Sequence, residues 1–434
     1  MGKFAKTTRS SSSIASVTCP GCGLLCDDLV IERNVEGNLT VKENGCAKSV
    51  SFFERQLVPA TPRIKGQTVN LELAIAMACD ILHDAKQPFI GGLATDVQGM
   101  RSVLSVADLI GATLDHMNST ASIRNTLVVQ NSGWQVTTLT EVRNRVDLLV
   151  VIGSDIVSLF PRFFERCVWN AESMFGQDTS SREVVYLGGR NLDTSAGISP
   201  TGVRPQVLPC DQEQLPEVIA VLRALVSGKE LVAGEVAGIK VADLRSLAKR
   251  LRASKYSVIV WTAATLDFPH AELAIQNITG LISTLNQTTR SSGLPLGGSD
   301  GDISANQVST WISGYPVRTS YKNGYPEYDP YQFSTAQQLE QNEADALVWI
   351  STFNPERLPP NSKIPSIVIG HSDMQLSVEP DVFIPVGVLG IDHKATLFRS
   401  DNVVSLPLAK LREASLPSLA EVFTALEAGL QGKK

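Results

Sequence analysis

Cys19, Cys22 and Cys26 form a C-x-x-C-x-x-x-C run, and Cys46 follows further along the chain. Thiolates two and three residues apart in a tight loop converge on one centre, and a fourth brought back by a hairpin closes a four-sulfur site. Iron–sulfur clusters and zinc both accept four cysteines; a reduced, empty remnant that only packs is the alternative. Gly21 and Gly23 give the loop the freedom to fold over a cluster and to aim backbone amides at sulfur. Of the 7 cysteines, Cys79 lies on the apolar face of a helical segment and reads as core, and Cys167 and Cys210 are isolated. An odd count without a secretory leader argues against a disulfide framework and for a reducing, cytoplasmic compartment.

Other chemistry is poorly supplied. The five histidines, His83, His116, His270, His371 and His393, show no H-x-H or H-E-x-x-H spacing. His83 beside Asp84 reads as solvated. His371 follows an apolar strand and reads as a structural hydrogen-bonding residue. There is no G-x-S-x-G elbow and no G-x-G-x-x-G fingerprint, so neither a serine hydrolase nor a dinucleotide enzyme is indicated.

The elements that must position these residues are legible from periodicity. Asp28 to Ile31 and Asn38 to Val41 read as strands around a turn at Glu36-Gly37. Leu71, Ala74, Ile75, Ala78 and Leu82 fall at helical spacing. Short unbroken apolar runs then recur: the run opening at Pro88, Leu148 to Ile152, Val184 to Leu187, Val258 to Trp261, Ala346 to Ile350 and Ile367 to Ile369. Amphipathic segments lie between them at Leu215 to Val226, Val241 to Leu251, Ala271 to Leu285 and Thr335 to Gln341. Such alternation predicts an α/β fold with parallel sheets covered on both faces, with ligands beyond the carboxyl ends of the strands. The segment Ser291 to Pro330, rich in Gly, Ser, Tyr and Pro, reads as a long ordered loop.

The bulk numbers bound the partners. At 434 residues, 43% hydrophobic and 19% charged, the chain reads as soluble, with two or three domains. A net charge of −6 without a basic stripe excludes nucleic acid, and no apolar run reaches the length of a membrane span. Residues 1–18 read as a flexible, Ser-rich tail rather than an organellar transit peptide.

The stretch TCPGCGLLCDDLVIE, with Cys46 following, resembles the amino-terminal [4Fe–4S] loop of molybdopterin and tungstopterin oxidoreductases, in the form found in the B subunit of formylmethanofuran dehydrogenase. Further segments fit in the same order: Thr140 to Asp147 leading into Leu148, Phe160-Pro161-Arg162, Ala305 to Trp311 with Gly314-Tyr315-Pro316, and Gly390-Ile391-Asp392 before Phe398-Arg399. The resemblance covers essentially the whole chain. It implies a small Cys-loop domain at 19–65, an α/β domain at 66–123 plus 315–434, and an inserted α/β domain at 124–314. It also makes a [4Fe–4S] cluster the expected guest of Cys19, Cys22, Cys26 and Cys46, with zinc or an empty loop as alternatives.

The resemblance breaks where redox chemistry is done. Active members place a cysteine or selenocysteine on molybdenum or tungsten after a Thr-Ala-Ser stretch. Here Thr120-Ala121-Ser122-Ile123 is followed by Arg124, whose permanently charged guanidinium has no electron pair to donate. The usual Asp-Pro-Arg at a later strand end reads Gly188-Gly189-Arg190, and the carboxy-terminal Gly-Thr stretch reads His393-Lys394-Ala395-Thr396. These departures argue against a bound molybdopterin or tungstopterin and against a catalytic residue in this chain.

One branch of the resemblance fits that pattern: the B subunit of the bacterial formyltransferase/hydrolase complex. That complex passes a formyl group between a tetrahydromethanopterin-type carrier and a methanofuran-like amine and releases formate. Its chemistry lies in a formyltransferase subunit and a zinc amidohydrolase-like subunit, alongside a C-type subunit. Asn306, Gln307 and Trp311 are then expected to hold an elongated polar carrier, with Arg190, Arg124 and Arg162 available to its acidic tail. The rival readings are an active molybdenum or tungsten formylmethanofuran (formate) dehydrogenase subunit, and a zinc-bound scaffold of another assembly.

Overall fold

In the computed structural model the structure describes residues 12–56, 58–413 and 415–433. The chain forms two compact units, Met1–Ser119 with Gly298–Lys434, and Thr120–Gly297. The second unit therefore opens and closes earlier in the chain than the 124–314 expected for the insertion. Of the expected tail, residues 1–11 lie outside the described residues. Ser12–Val17 is a β-strand paired antiparallel with Leu29–Arg33, so the tail expectation is corrected there. The Ser-rich composition hid it, because pairing with a neighbouring strand overrides a weak local propensity.

The first unit opens with that strand in a three-stranded antiparallel sheet, Ser12–Val17, Leu29–Arg33 and Leu39–Glu43. The turn between the last two is built on Asn34, whose Oδ1 accepts from the amides of Glu36 and Asn38. The unit's main sheet has nine strands. Pro88–Ala94 lies at its centre, parallel to Thr113–Leu114 on one side and to Ala346–Ser351 on the other. Ser366–His371 and Val382–Val386 continue the parallel set. These strands are buried on both faces, and Ile90, Leu93, Val348, Ile369 and Ile384 share one core with helices Leu71–Asp84, Val97–Ile110 and Leu419–Gln431. Such two-sided burial is why the strands read as unbroken apolar runs.

From Pro88–Ala94 the chain first crosses to one neighbour and later supplies the other, so the loops after Pro88–Ala94 and Ala346–Ser351 diverge. That is a topological switch point, where parallel sheets open a crevice. A bulge marks it: the pairing shifts between Trp349 and Ser351. Gly92 has φ +78°, and a Cβ there would lie 2.4 Å from the Ile350 carbonyl oxygen.

The second unit holds a five-stranded, wholly parallel sheet in the order Gln206–Leu208, Glu183–Leu187, Leu148–Ile152, Ser257–Trp261, Ser291–Pro295. Helices Leu215–Val226, Val241–Ala253 and Glu272–Leu285 bury Leu222, Leu247 and Ile278 in one core with Val150, Val185 and Ile259. Its switch point falls between Leu148–Ile152 and Ser257–Trp261.

The loop expected over Ser291 to Pro330 is corrected. It contains the strand Ser291–Pro295 and the helix Asp302–Ser313, followed by the short strands Thr319–Ser320 and Glu327–Tyr328. The helix carries its apolar residues on a narrow stripe at Ala305 and Val308, with Ser304 and Ser309 also buried. So polar an inward face lacks the apolar period on which a sequence reading depends.

Candidate functional site

The cysteine loop is tied to itself before any guest is considered. The Cys19 amide donates to the Cys26 carbonyl at 2.8 Å, and the Leu25 amide to the Cys22 carbonyl at 3.2 Å. The Gly21 amide points at Cys19 Sγ, 3.4 Å away. Cys46 precedes the helix Ala47–Phe53, where Ser49 Oγ accepts its amide at 2.7 Å. Cys19, Cys22 and Cys26 are buried, and Cys46 is partly so. Burial pushes the pKa of the Cys19 thiol up, against the amide bond from Gly21 and reinforced by Cys22, Cys26 and Cys46. Burial also raises Cys22, against the pull of Lys48 and an amide bond from Leu24.

The four sulfurs are thus electrostatic neighbours in a pocket that disfavours free thiolates; a cationic centre is what would stabilise them. Among the described residues, no three His, Cys, Asp or Glu side chains gather as closely as one bound ion would hold them. Donor chemistry and the inward-pointing Gly21 amide fit a four-thiolate site. Gly298, at φ +90°, passes so close to this loop that a Cβ would lie 2.7 Å from Gly23 Cα.

Beside the loop, within the first unit, lies a cleft of about 490 Å³ that reaches the loop after Ala346–Ser351. Lys48, Arg55, Asn118, Asp300 and Arg357 line it. Its charges largely answer one another. Arg55 pairs with Glu356 at 3.1 Å and approaches Asp373 at 3.8 Å, while Arg357 pairs with Asp300 at 3.2 Å and also binds Asn118. Asn118 Nδ2 donates to Ser299 Oγ at 2.9 Å.

Behind the cleft, buried His116 places Nε2 3.2 Å from the Asp300 carbonyl oxygen and accepts the Asn118 amide on Nδ1. Burial lowers the His116 pKa to about 3, so the ring is neutral. Asp302, buried at the start of its helix, is pushed up to about 7, first by burial and then by the nearby Asp300, against the amide bond from Ile303. Sequence reasoning missed His116, Asn118, Asp300, Asp302 and Arg357. They sit in chain segments separated by as many as 239 residues, and no motif spacing links them.

The expected carrier-binding residues are placed as follows. Asn306 and Gln307 lie on the helix Asp302–Ser313, not in a loop. Asn306 spans Asp302 and Val317, donating to one carbonyl at 3.0 Å and accepting one amide at 3.3 Å. Gln307 donates to Asn402 Oδ1 at 3.1 Å. Trp311 leans edge-on against Phe398, with ring centroids 5.2 Å apart.

Arg124, Arg162 and Arg190 belong to the second unit, and each already holds a carboxylate. Arg124 reaches Asp267 at 2.6 Å and the Ala263 carbonyl at 2.7 Å, just past the strand Ser257–Trp261 at that unit's switch point. Arg162 holds Glu165 at 2.6 Å and is buried; Arg190 holds Asp211 at 2.7 Å. Next to Arg124, Asn125 Oδ1 accepts the indole N–H of the fully buried Trp261 at 2.9 Å. Residue 124 is thus a cation on the helix Ser119–Ser132, tied to the loop after Ser257–Trp261, and offers no donor pair to a metal.

Among the remaining histidines, His371 is buried at its strand end, accepts the Asp373 amide and has its pKa lowered to about 4 by burial. No helix among the described residues is long and apolar enough to cross a membrane.

No family model matches the chain. It is 26% identical over 405 residues to the B subunit of the tungsten-containing formylmethanofuran dehydrogenase 2 of Methanocaldococcus jannaschii, covering 90% of this chain and 92% of that one. It is 27% identical over 371 residues to the B subunit of the formyltransferase/hydrolase complex Fhc of Methylorubrum extorquens, covering 85% and 95%. The crystal structure of the Methylorubrum extorquens formyltransferase/hydrolase complex FhcABCD with methylofuran contains a chain that superimposes with a TM-score of 0.73. That match has 25% identity and covers 86% of this chain and 99% of the other. The chain is therefore homologous to both kinds of B subunit over most of its length, as the cysteine-loop resemblance implied.

Proposed function

We propose that this chain is the non-redox B subunit of a cytoplasmic formyltransferase/hydrolase complex, in which a formyl group carried by a methanofuran-type amine is released as formate. The observation that carries the reading is Arg124. A fixed cation, bonded to Asp267 and the Ala263 carbonyl, stands where an active relative needs a sulfur or selenium donor. Similarity over most of the chain to the Fhc B subunit and to a chain of the methylofuran-bound complex supports it. The formyl chemistry then belongs to partner subunits, a formyltransferase, a zinc amidohydrolase-like subunit and a C-type subunit, and this chain contributes fold and surface.

Cys19, Cys22, Cys26 and Cys46 would hold a [4Fe–4S] cluster. Such a group relays single electrons, or acts as a purely structural anchor where no redox partner remains. The chain's own part is to bury the sulfurs, direct the Gly21 amide at Cys19 and keep Lys48 near Cys22.

The second reading, an active dehydrogenase subunit, is favoured by the tungsten-containing relatives. Metal analysis of the assembled complex decides between the two. Formate release from formylated carrier, with iron and sulfide but neither molybdenum nor tungsten, is the expected result. Tungsten or molybdenum at about one per chain, with formate oxidation, would overturn it.

A further inference from the structure

The helix Asp302–Ser313 and the strands after it carry the largest exposed rings of the first unit. Trp311 is 57% exposed, Tyr325 57% and Tyr331 67%, with Ile312 at 55% and Tyr315 at 42%. At the ~150–250 Å² that an aromatic side chain offers, these five expose on the order of 500 Å² of largely apolar surface. That is the size of a monomer's largest apolar patch, ~300–600 Å² and often functional, and more than half of the ~800 Å² per partner of a stable interface. Single exposed hydrophobics need no explanation, but clustered ones do.

Three further features distinguish this face from a chance cluster. From Ile303 to Val317 the chain has no charged residue, and charge depletion with aromatic enrichment marks the centre of protein interfaces. Two of the rings are held in place already: Trp311 lies edge-on to Phe398, and Tyr315 is stacked on Tyr328 at 5.8 Å and 5°. Rings fixed before binding lose little entropy on contact, which is what makes Trp and Tyr strong anchors. Beside Ile312 and Pro326 opens a hollow of about 600 Å³ whose outer wall carries Arg101, Asp108 and Glu427.

We infer that this face is a docking surface for another protein subunit of the assembly, one presenting an apolar groove to Trp311 and Tyr325. The inference rests on the subunit reading above. It assigns Trp311 to a protein contact rather than to the acidic carrier that the sequence suggests, since the helix that bears it offers no cation. A different polypeptide is favoured over a second copy because the relatives are B subunits of multi-subunit assemblies.

The test uses the full chain co-expressed with the other subunits of its complex. Backbone hydrogen exchange over residues 310–331 is compared between the free and assembled chain, and assembly is titrated for Trp311→Ala with Tyr325→Ala. Protection on assembly is expected, with assembly weakened at least about tenfold and an unchanged circular-dichroism melt. Val232→Ser, at a fully exposed position of the other unit, should assemble normally. Unaltered assembly by the double variant, or equal exchange in both states, overturns the surface alone. A free wild-type chain that dimerises through these residues also overturns it, by making a second copy the occupant. Failure of the wild-type chain to assemble at all overturns the subunit reading as well.

Discussion

Replacing Asp302 with Asn should remove a pH dependence of stability that the buried carboxyl imposes on the first unit. The residue is buried, and its Oδ1 accepts the Ile303 amide at 2.6 Å. Burial, reinforced by the neighbouring Asp300, raises it from an ordinary 3.8 to about 7. Between those two values the unfolded chain has released the proton and the folded chain still holds it. The unfolded state therefore binds fewer protons, and unfolding free energy falls as pH rises, at about 1.4 kcal/mol per pH. The loss accumulates to on the order of 4 kcal/mol at neutral pH. Asn cannot ionise, and its amide oxygen retains the acceptor. Urea denaturation of wild type and Asp302→Asn, followed by far-ultraviolet circular dichroism across this range, reads the effect. The variant should gain stability relative to wild type as pH rises from about 4.5 to 7.5. A stability difference that stays constant within about 1 kcal/mol over that range would refute the reasoning.

Three other outcomes follow from the geometry. Arg318→Met should cost about 3–5 kcal/mol in urea denaturation, because it strands Asp115, a buried carboxylate paired with Arg318 at 3.4 Å; Asp115→Asn in the same chain should return part of the loss. Gly92→Ala should give mostly insoluble protein on expression, since a left-handed residue would gain a Cβ 2.4 Å from a backbone oxygen. Arg124→Ala should cost less than about 1 kcal/mol, because its partner Asp267 is mostly exposed, and should leave the metal content of the complex unchanged; a newly bound molybdenum or tungsten would contradict the reading of that position.

Much of the scaffold was legible because local chemistry dictates it. The runs at Leu148–Ile152 and Ala346–Ser351 are apolar on both faces and became central parallel strands. The helices Leu71–Asp84 and Leu215–Val226 carry the apolar period that seats them on those sheets. The helix Asp302–Ser313 escaped because its buried side is lined by Ser304, Ala305 and Ser309, and the strand Ser12–Val17 because its partner lies beyond a loop.

For the site, sequence alone determined the donor set, Cys19, Cys22, Cys26 and Cys46, because thiol spacing is a local property of the chain. It also determined that residue 124 is a cation, because a guanidinium keeps its charge in any fold. Only the tertiary structure decided that Arg124, Arg162 and Arg190 each hold a carboxylate of their own, and that His116, Asp300, Asp302 and Arg357 meet at one cleft. Charge pairing and burial depend on which distant segments a switch point brings together, and chain order does not encode that distance.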